Sequence, residues 1–485
     1  LRELVAATDS VDTGSMGERE LVRRLAGFLS TTTHDRYWFA LAVLEARFPL
    51  AEEVVEAVRV SKLDGSLAGV AGALTHRPLL RFAPVLTKRN VRVVKDSVVV
   101  DVDHTSTVEF ATGIQRVVRE TVKRWVRDHP LTLVGWTPER TALRPLSEQE
   151  VDTALTGAKR KRVAPRGRLS RLRSPEVVDV AVPLGGTYVL AELSLDRNIL
   201  LRLAAMAEYS STKTAVIGYD AVPLSSAETA NHMVSGGFAN NLAAVKHMDK
   251  VATISEAAAI EYRGWRDMLV STGITGPEIT AVSLSRDAGT VTDTALARAR
   301  EVLLKGDESP LVLVVGSHEP RKNHDAVLQA AEILWRDGLE FQLLFVGGNA
   351  WNSGLFTHRI TELRRKGRLV RNITAVDDEL LWSAYRLASF TVFPSLNEGY
   401  GLPIVESLSV GTPVITSDFG SMKEITVSGG ALHVDPYSDA DITAAMRSLL
   451  EDEALRARLG AEGLAAPKRS WDDYARETWE FLVGS

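Results

Sequence analysis

An α/β protein with two parallel-sheet domains facing a cleft, preceded by a helical extension, is the fold class this sequence predicts. Three observations lead there. From Val91 onward, short apolar runs alternate with amphipathic stretches, a pattern of strands covered on both faces by helices. The alternation occurs twice, on either side of a charged helical stretch, Ala295 to Leu304, and the turn-rich Lys305 to Pro310. Before Val91 only helical spacing is visible.

Residues 1–90 read as the helical extension, with apolar positions three or four apart in Glu18 to Leu29 and Tyr37 to Phe48. They carry no recognisable chemistry and suit packing or association. Residues 91–290 form the first domain, with strands at Ser97 to Asp103, Leu131 to Trp136, Thr187 to Leu190, Thr214 to Gly218 and Lys250 to Ser255. A helix is expected over Ile114 to Trp125 and another from Glu256. Residues 291–309 are the linker. Residues 310–468 form the second domain, with strands at Leu311 to Gly316, Phe341 to Val346, Ile373 to Val376, Phe390 to Phe393 and Val414 to Ser417. Helices over Asp325 to Trp335 and Asp378 to Leu387 fill gaps between them. Residues 469–485 read as a final amphipathic helix. Two such domains resemble nucleotide-binding Rossmann units, which take ligands at the carboxyl ends of their strands.

The composition narrows the function. At 485 residues, 45% hydrophobic and 25% charged, the chain is ordinary globular material. A net charge of −5 argues against a general nucleic-acid binder. With no cysteine there is no disulfide, thiolate metal site or Cys nucleophile, which fits a reducing compartment. No apolar run approaches the ~20 residues a membrane helix needs, and no signal peptide is visible. The chain starts at Leu1, so an upstream segment is a further expectation. The cytoplasm is the expected location. Lys159 to Arg173, rich in basic residues, reads as a solvated loop or as a patch that docks on an anionic membrane face.

The most informative stretch is Glu398-Gly-Tyr-Gly-Leu-Pro-Ile-Val-Glu406. It follows an apolar strand, turns on glycines and enters a helix with Pro403 in its first turn. Free N–H groups at such a start attract anions. Carboxylates only accept hydrogen bonds, so Glu398 and Glu406 beside an anion site call for a ligand that also brings hydroxyls. A nucleotide sugar has both. A second strand ends in Gly316-Ser-His-Glu-Pro-Arg-Lys-Asn323, whose adjacent Arg321 and Lys322 can clamp a diphosphate. In the first domain, Asp103 to Arg119 contains the run Thr112-Gly-Ile-Gln-Arg-Val-Val-Arg119, in which Gly113 lets backbone approach a ligand. Gly218-Tyr-Asp-Ala-Val-Pro223 places Asp220 after a strand, and Ser255 in Thr253-Ile-Ser-Glu256 reads as a helix N-cap. Trp351, after Gly347 and Gly348, reads as packing.

These motifs, with Gly411-Thr-Pro-Val-Ile415, Glu424 and Val434-Asp-Pro436 following in order, resemble the retaining glycosyltransferases of family 4, the "group 1" enzymes of the GT-B fold. Within that family the resemblance is to polysaccharide and O-antigen mannosyl- or rhamnosyl-transferases. It implies a metal-independent hexosyl transfer from a nucleotide-diphosphate sugar, GDP-mannose first, to a glycan or lipid-linked acceptor. No cofactor or metal is implied. Glu398 would contact the transferred sugar, Arg321 and Lys322 the departing diphosphate, and Asp220 the reacting centre. Gly113, Ser317, Gly399, Tyr400, Gly401, Leu402 and Glu406 would line the donor, Glu406 holding the ribose, and Arg116 would meet the acceptor. Ser317 and Tyr219 stand where many relatives carry Arg and His. Asp101-Val-Asp103 imitates a metal-binding D-x-D but sits on one face of a strand end. Two other readings remain: a different GT-B enzyme such as a nucleotide-sugar epimerase or phosphorylase, or a non-catalytic nucleotide-sugar-binding scaffold.

Overall fold

The computed structural model describes residues 1–9, 11–63, 89–109, 112–157, 178–229, 231–350, 353–374 and 376–484. The basic run 159–173 and Trp351 lie outside them.

The first sheet has nine strands: β1 Arg89–Lys95, β2 Val98–Asp101, β3 Thr132–Trp136, β4 Leu143–Pro145, β5 Val178–Leu184, β6 Thr187–Leu190, β7 Lys213–Gly218, β8 Lys250–Thr253 and β9 Glu278–Ala281. Their order is β1-β5-β4-β3-β2-β6-β7-β8-β9. All pairs are parallel except those of β4, which runs antiparallel to β3 and β5. The second sheet is parallel throughout, with β10 Leu311–Val315, β11 Gln342–Val346, β12 Val370–Ile373, β13 Phe390–Phe393, β14 Val414–Ser417 and β15 Ala431–Val434 in the order β12-β11-β10-β13-β14-β15. In each sheet the strand order reverses once near the centre, at β2/β6 and at β10/β13. Loops leaving the carboxyl ends of those strands cannot cover the crevice between them, which is where doubly wound sheets take ligands.

Three differences from the sequence reading are physical. β12 occupies Val370–Ile373, ahead of the expected Ile373 to Val376, because register with β11 pairs Val370 with Leu343. β1, β4, β5, β9 and β15 are additional to the expected strands; β1 mixes Arg, Asn and Lys with Val and has the texture of a solvated segment. β4 is only three residues long.

The N-terminal helices, Arg2–Asp9, Glu18–Leu29, His34–Glu45 and Ala51–Leu63, pack into the first domain. Phe48 inserts between Trp38 and Trp136, with ring centroids 5.2 and 5.8 Å away. Its N–H donates to the Thr141 carbonyl at 2.8 Å. The N–H of Val93 on edge strand β1 donates to the Glu3 carboxylate at 3.1 Å, so the first helix covers that edge.

The last helix, Trp471–Leu482, lies on the first domain against helix Gly113–Asp128. Trp125 is buried and its indole N–H donates to the Ala475 carbonyl at 2.8 Å. Burying such a side chain stabilises by roughly 1.5–3 kcal/mol. The two stretches that pass between domains are joined where the Arg286 N–H donates to the Arg469 carbonyl at 2.7 Å. Among the described residues, no helix is long and apolar enough to cross a membrane.

Candidate functional site

The second-domain face is built from the loops that leave β10 and β13. β13 is buried at all four positions, and its chain continues through Pro394 to Gly401 into helix Leu402–Ser409, with Pro403 in the first turn. Gly401 sits at φ 109°, a left-handed conformation that glycine adopts without strain. The other loop closes in a short 3₁₀ turn, Pro320–Lys322. The Leu396 N–H donates to the Arg321 carbonyl at 2.8 Å and ties the loops together.

Glu398 is the centre of this face. Its buried carboxylate accepts from Lys322 Nζ and Arg321 NH1, each at 2.6 Å. Burial alone would raise its pKa, but the two cations outweigh it and hold the group at about 2. Arg321 also donates to the Asn397 carbonyl and to Glu319 Oε1, both at 2.9 Å. Lys322 lies 4.7 Å from the centre of the Phe393 ring, and burial draws its pKa down despite Glu398. Ser317 turns its hydroxyl to Glu319 at 3.1 Å. Two cations thus face two carboxylates, and the cluster is close to neutral.

Glu406 lies on the same helix and is buried. The Tyr385 hydroxyl donates to Oε2 at 2.7 Å, and Arg116 NH1 pairs with Oε1. Burial raises the Glu406 pKa, with Arg116 opposing. Arg116 belongs to the first domain and its guanidinium lies 5.9 Å from the Trp382 ring centre. Its side chain crosses the cleft to Glu406 of the second domain. It can do so because the two helices start side by side; a Cβ on Gly113 would lie 3.9 Å from Leu402 Cδ1. The Tyr400 ring is buried and its hydroxyl donates to the Leu284 carbonyl at 3.1 Å.

The first-domain face meets this loop after β7. Asp220 Oδ1 accepts from the Val222 N–H at 3.2 Å. Its other oxygen lies so near Gly399 that a Cβ there would come within 2.6 Å of it and 3.0 Å of the Tyr219 carbonyl. Burial raises Asp220 to about 6, Arg321 opposing, with Glu398 and Glu261 adding to the rise. Tyr219 is buried and donates to the Ala191 carbonyl at 2.7 Å.

Three cross-domain contacts escaped sequence reasoning. Ser255 Oγ caps its own helix by accepting from Ala258 N–H at 3.0 Å and also donates to the Gly399 carbonyl at 2.6 Å. Glu424 accepts from the Glu256 and Ala257 N–H groups at 3.0 and 2.9 Å, so a second-domain carboxylate caps a first-domain helix. Asn397 Nδ2 reaches the hydroxyls of Ser225 and Ser226, each at 3.2 Å. Only the cap role of Ser255 is a local signal.

Deeper in the first domain, Asp101 and Asp103 are engaged by protein donors. Asp101 Oδ2 accepts from Tyr188 OH at 2.6 Å and Trp136 Nε1 at 2.7 Å. Asp103 accepts from the Trp136 N–H at 2.7 Å and pairs with Arg140. Glu192, just past β6, accepts from His104 N–H at 2.5 Å and from Thr105 N–H and Oγ1 at 2.9 and 2.7 Å. Burial, with the nearby Asp101 charge, raises Glu192 to about 8. Among the described residues, no group of three His, Asp or Glu is placed to hold a metal ion.

Comparison with known proteins adds to this geometry. Residues 297–465 match the family described as glycosyl transferases group 1. The O-antigen chain mannosyltransferase B of Escherichia coli is 34% identical over 168 residues, 34% of this chain and 44% of that protein. The D-inositol 3-phosphate glycosyltransferase of Nocardia farcinica is 31% identical over 204 residues, 39% of this chain and 45% of its own. The aligned stretches thus span less than half of either relative. Among solved structures, Anabaena HepE in complex with UDP and glucose aligns with TM-score 0.56 at 12% identity, covering 81% of this chain and all of that one (100%). Sucrose-phosphate synthase from Thermosynechococcus elongatus aligns with TM-score 0.51 at 16% identity, over 80% of this chain and 96% of that one. At these identities the structures speak for the fold, and the fold is GT-B.

Proposed function

We propose that this chain, whose second domain belongs to the group 1 glycosyltransferases, transfers a hexose from a nucleotide-diphosphate sugar to a glycan or lipid-linked acceptor, with retained configuration and without a metal ion. The observation that carries the reading is Glu398 held ionised by Arg321 and Lys322 where the two domains meet. A fixed carboxylate accepts sugar hydroxyls; the cations and the start of helix Leu402–Ser409 receive the diphosphate. Glu406 is the acceptor for ribose hydroxyls. Mannose is the favoured sugar because the E. coli relative is a mannosyltransferase, and GDP-mannose the favoured donor.

In the proposed reaction the bond between the anomeric carbon and the diphosphate oxygen breaks, and its electron pair stays on the diphosphate. The acceptor hydroxyl oxygen bonds to the same face of that carbon, and its proton passes to the departing phosphate oxygen. Each charge-assisted hydrogen bond contributes about 1.5–3 kcal/mol, against at most ~2 kcal/mol from a partly buried helix start. The side-chain cations therefore matter more than the helix. Neither alone reaches the ~8 kcal/mol that modest enzymatic acceleration requires, so orientation of donor and acceptor supplies much of the remainder.

Labelled GDP-mannose, dTDP-rhamnose and UDP-glucose, each with an α-mannoside acceptor in EDTA, test the reading. It expects transfer from one donor and an α-linked product by NMR when the donor is α-configured. Transfer only with a divalent ion, inversion, or donor binding without turnover across acceptors would contradict it.

A further inference from the structure

Both cations of the second-domain loop already have anionic partners. Arg321 lies on Glu398, Glu319 and the Asn397 carbonyl, and Lys322 on Glu398. A diphosphate at the start of helix Leu402–Ser409 would meet a cluster whose charge is balanced. Arg116 is paired as well, with Glu406, but it is more open to an entering anion. Its side chain is 30% exposed, against 18% for Arg321 and 11% for Lys322. It comes from the opposite domain, on a helix whose first residue, Gly113, lies beside Leu402. The carboxylate it meets is Glu406, whose other oxygen is held by Tyr385.

We propose that Arg116 binds the leaving diphosphate from the first domain, exchanging partners as the donor enters. Its guanidinium moves from Glu406 to the diphosphate, and Glu406 Oε1 becomes available to a ribose hydroxyl. This rests on the reading of Glu406 as the ribose acceptor. The cation passes from one anion to another, while the released carboxylate exchanges it for hydroxyl donors. The Tyr385 hydroxyl keeps Glu406 from following the guanidinium. The Trp382 ring beside the guanidinium gives it an aromatic surface to move across. Charge grows on the diphosphate as the sugar–oxygen bond breaks, so Arg116 would bind the transition state more tightly than the ground state.

The test is calorimetric titration in EDTA of the parent, Arg116→Gln and Arg116→Lys with GDP, UDP and dTDP and with the matching nucleosides. For the diphosphate the parent prefers, Arg116→Gln should bind roughly 10- to 100-fold more weakly, the worth of one charge-assisted hydrogen bond. Nucleoside affinity should hold or rise, because Glu406 is free, and Arg116→Lys should fall between. Unchanged or tighter diphosphate binding by Arg116→Gln would show the ion pair to be an interdomain clamp and overturn the exchange. Equal weakening of nucleoside and diphosphate would overturn it too. If Glu406→Gln binds every diphosphate as the parent does, the ribose reading itself fails, an outcome separate from the other two.

Discussion

Glu398 and Glu192 are both buried carboxylates at the switch point of their sheets, and their surroundings push them in opposite directions. Glu398 has two cations within 2.6 Å and is held at about 2. Glu192 has only neutral donors, two backbone N–H groups and a threonine hydroxyl, with Asp101 as an anionic neighbour, and rises to about 8. Hydrogen bonds favour the ionised form of each, but only opposite charge close by overcomes burial. The second-domain face therefore presents a fixed anion and two cations. On the first-domain side Glu192 keeps its proton near neutrality, and burial raises Asp101 and Asp220 in the same direction, to about 6.

The largest effect is expected from breaking the charged side of this comparison. Glu398→Gln takes from Arg321 and Lys322 the carboxylate they share and should destabilise by about 3–5 kcal/mol, the usual cost of unpairing a buried charge, besides abolishing transfer. The sign with pH is fixed by the depressed pKa. The parent's stabilisation is complete above the ordinary Glu value of 4.5 and is lost as pH falls toward about 2. A thermal melt across that range should show an acid limb that the variant lacks.

A smaller effect is expected where the two faces touch. Gly399→Ala places a methyl against Asp220 and the Tyr219 carbonyl, and overpacking of this kind costs roughly 1–3 kcal/mol. Because the clash lies between domains, the measurable sign is a larger radius in solution scattering with slower transfer. An unchanged radius and rate would mean the contact is not part of the working conformation.

The change most gradual with pH sharpens the neutral side. A carboxyl whose folded pKa is raised loses stability as pH climbs from its unfolded value through the folded one. The parent should therefore soften between 4.5 and about 8 through Glu192, by at most ~1.4 kcal/mol per pH unit. In Glu192→Gln that part of the pH dependence should vanish from the melting curves; identical curves would place the proton elsewhere.

What the sequence made legible follows from how far apart the contributing residues lie. β13 and β14 are buried along their whole length and read as short runs of aromatic, β-branched and small residues between turn residues, so their bounds were visible. β1 mixes arginine, asparagine and lysine with valine, and β4 is too short to show a period. The gathering of Arg321, Lys322 and Glu398 is likewise a product of two strand-to-helix loops on neighbouring strands, each with its own motif. The Arg116–Glu406 pair spans 290 positions and depends on how two domains close, which no local pattern encodes. The same holds for Ser255 on Gly399 and for Glu424 capping helix Glu256–Val270. Tyr385 reads as a core aromatic in its helix; only the fold turns its hydroxyl onto Glu406.

The central claim is that a nucleotide diphosphate lies between Glu406 and the Arg321–Lys322 pair, and titrating the parent and Glu406→Gln with GDP, UDP and dTDP in EDTA tests it most directly. One diphosphate should bind the parent at one equivalent, and the variant should lose at least ~10-fold in affinity, a charge-assisted hydrogen bond's worth. Equal affinity in the two proteins, or no binding of any diphosphate to the parent, would contradict the account.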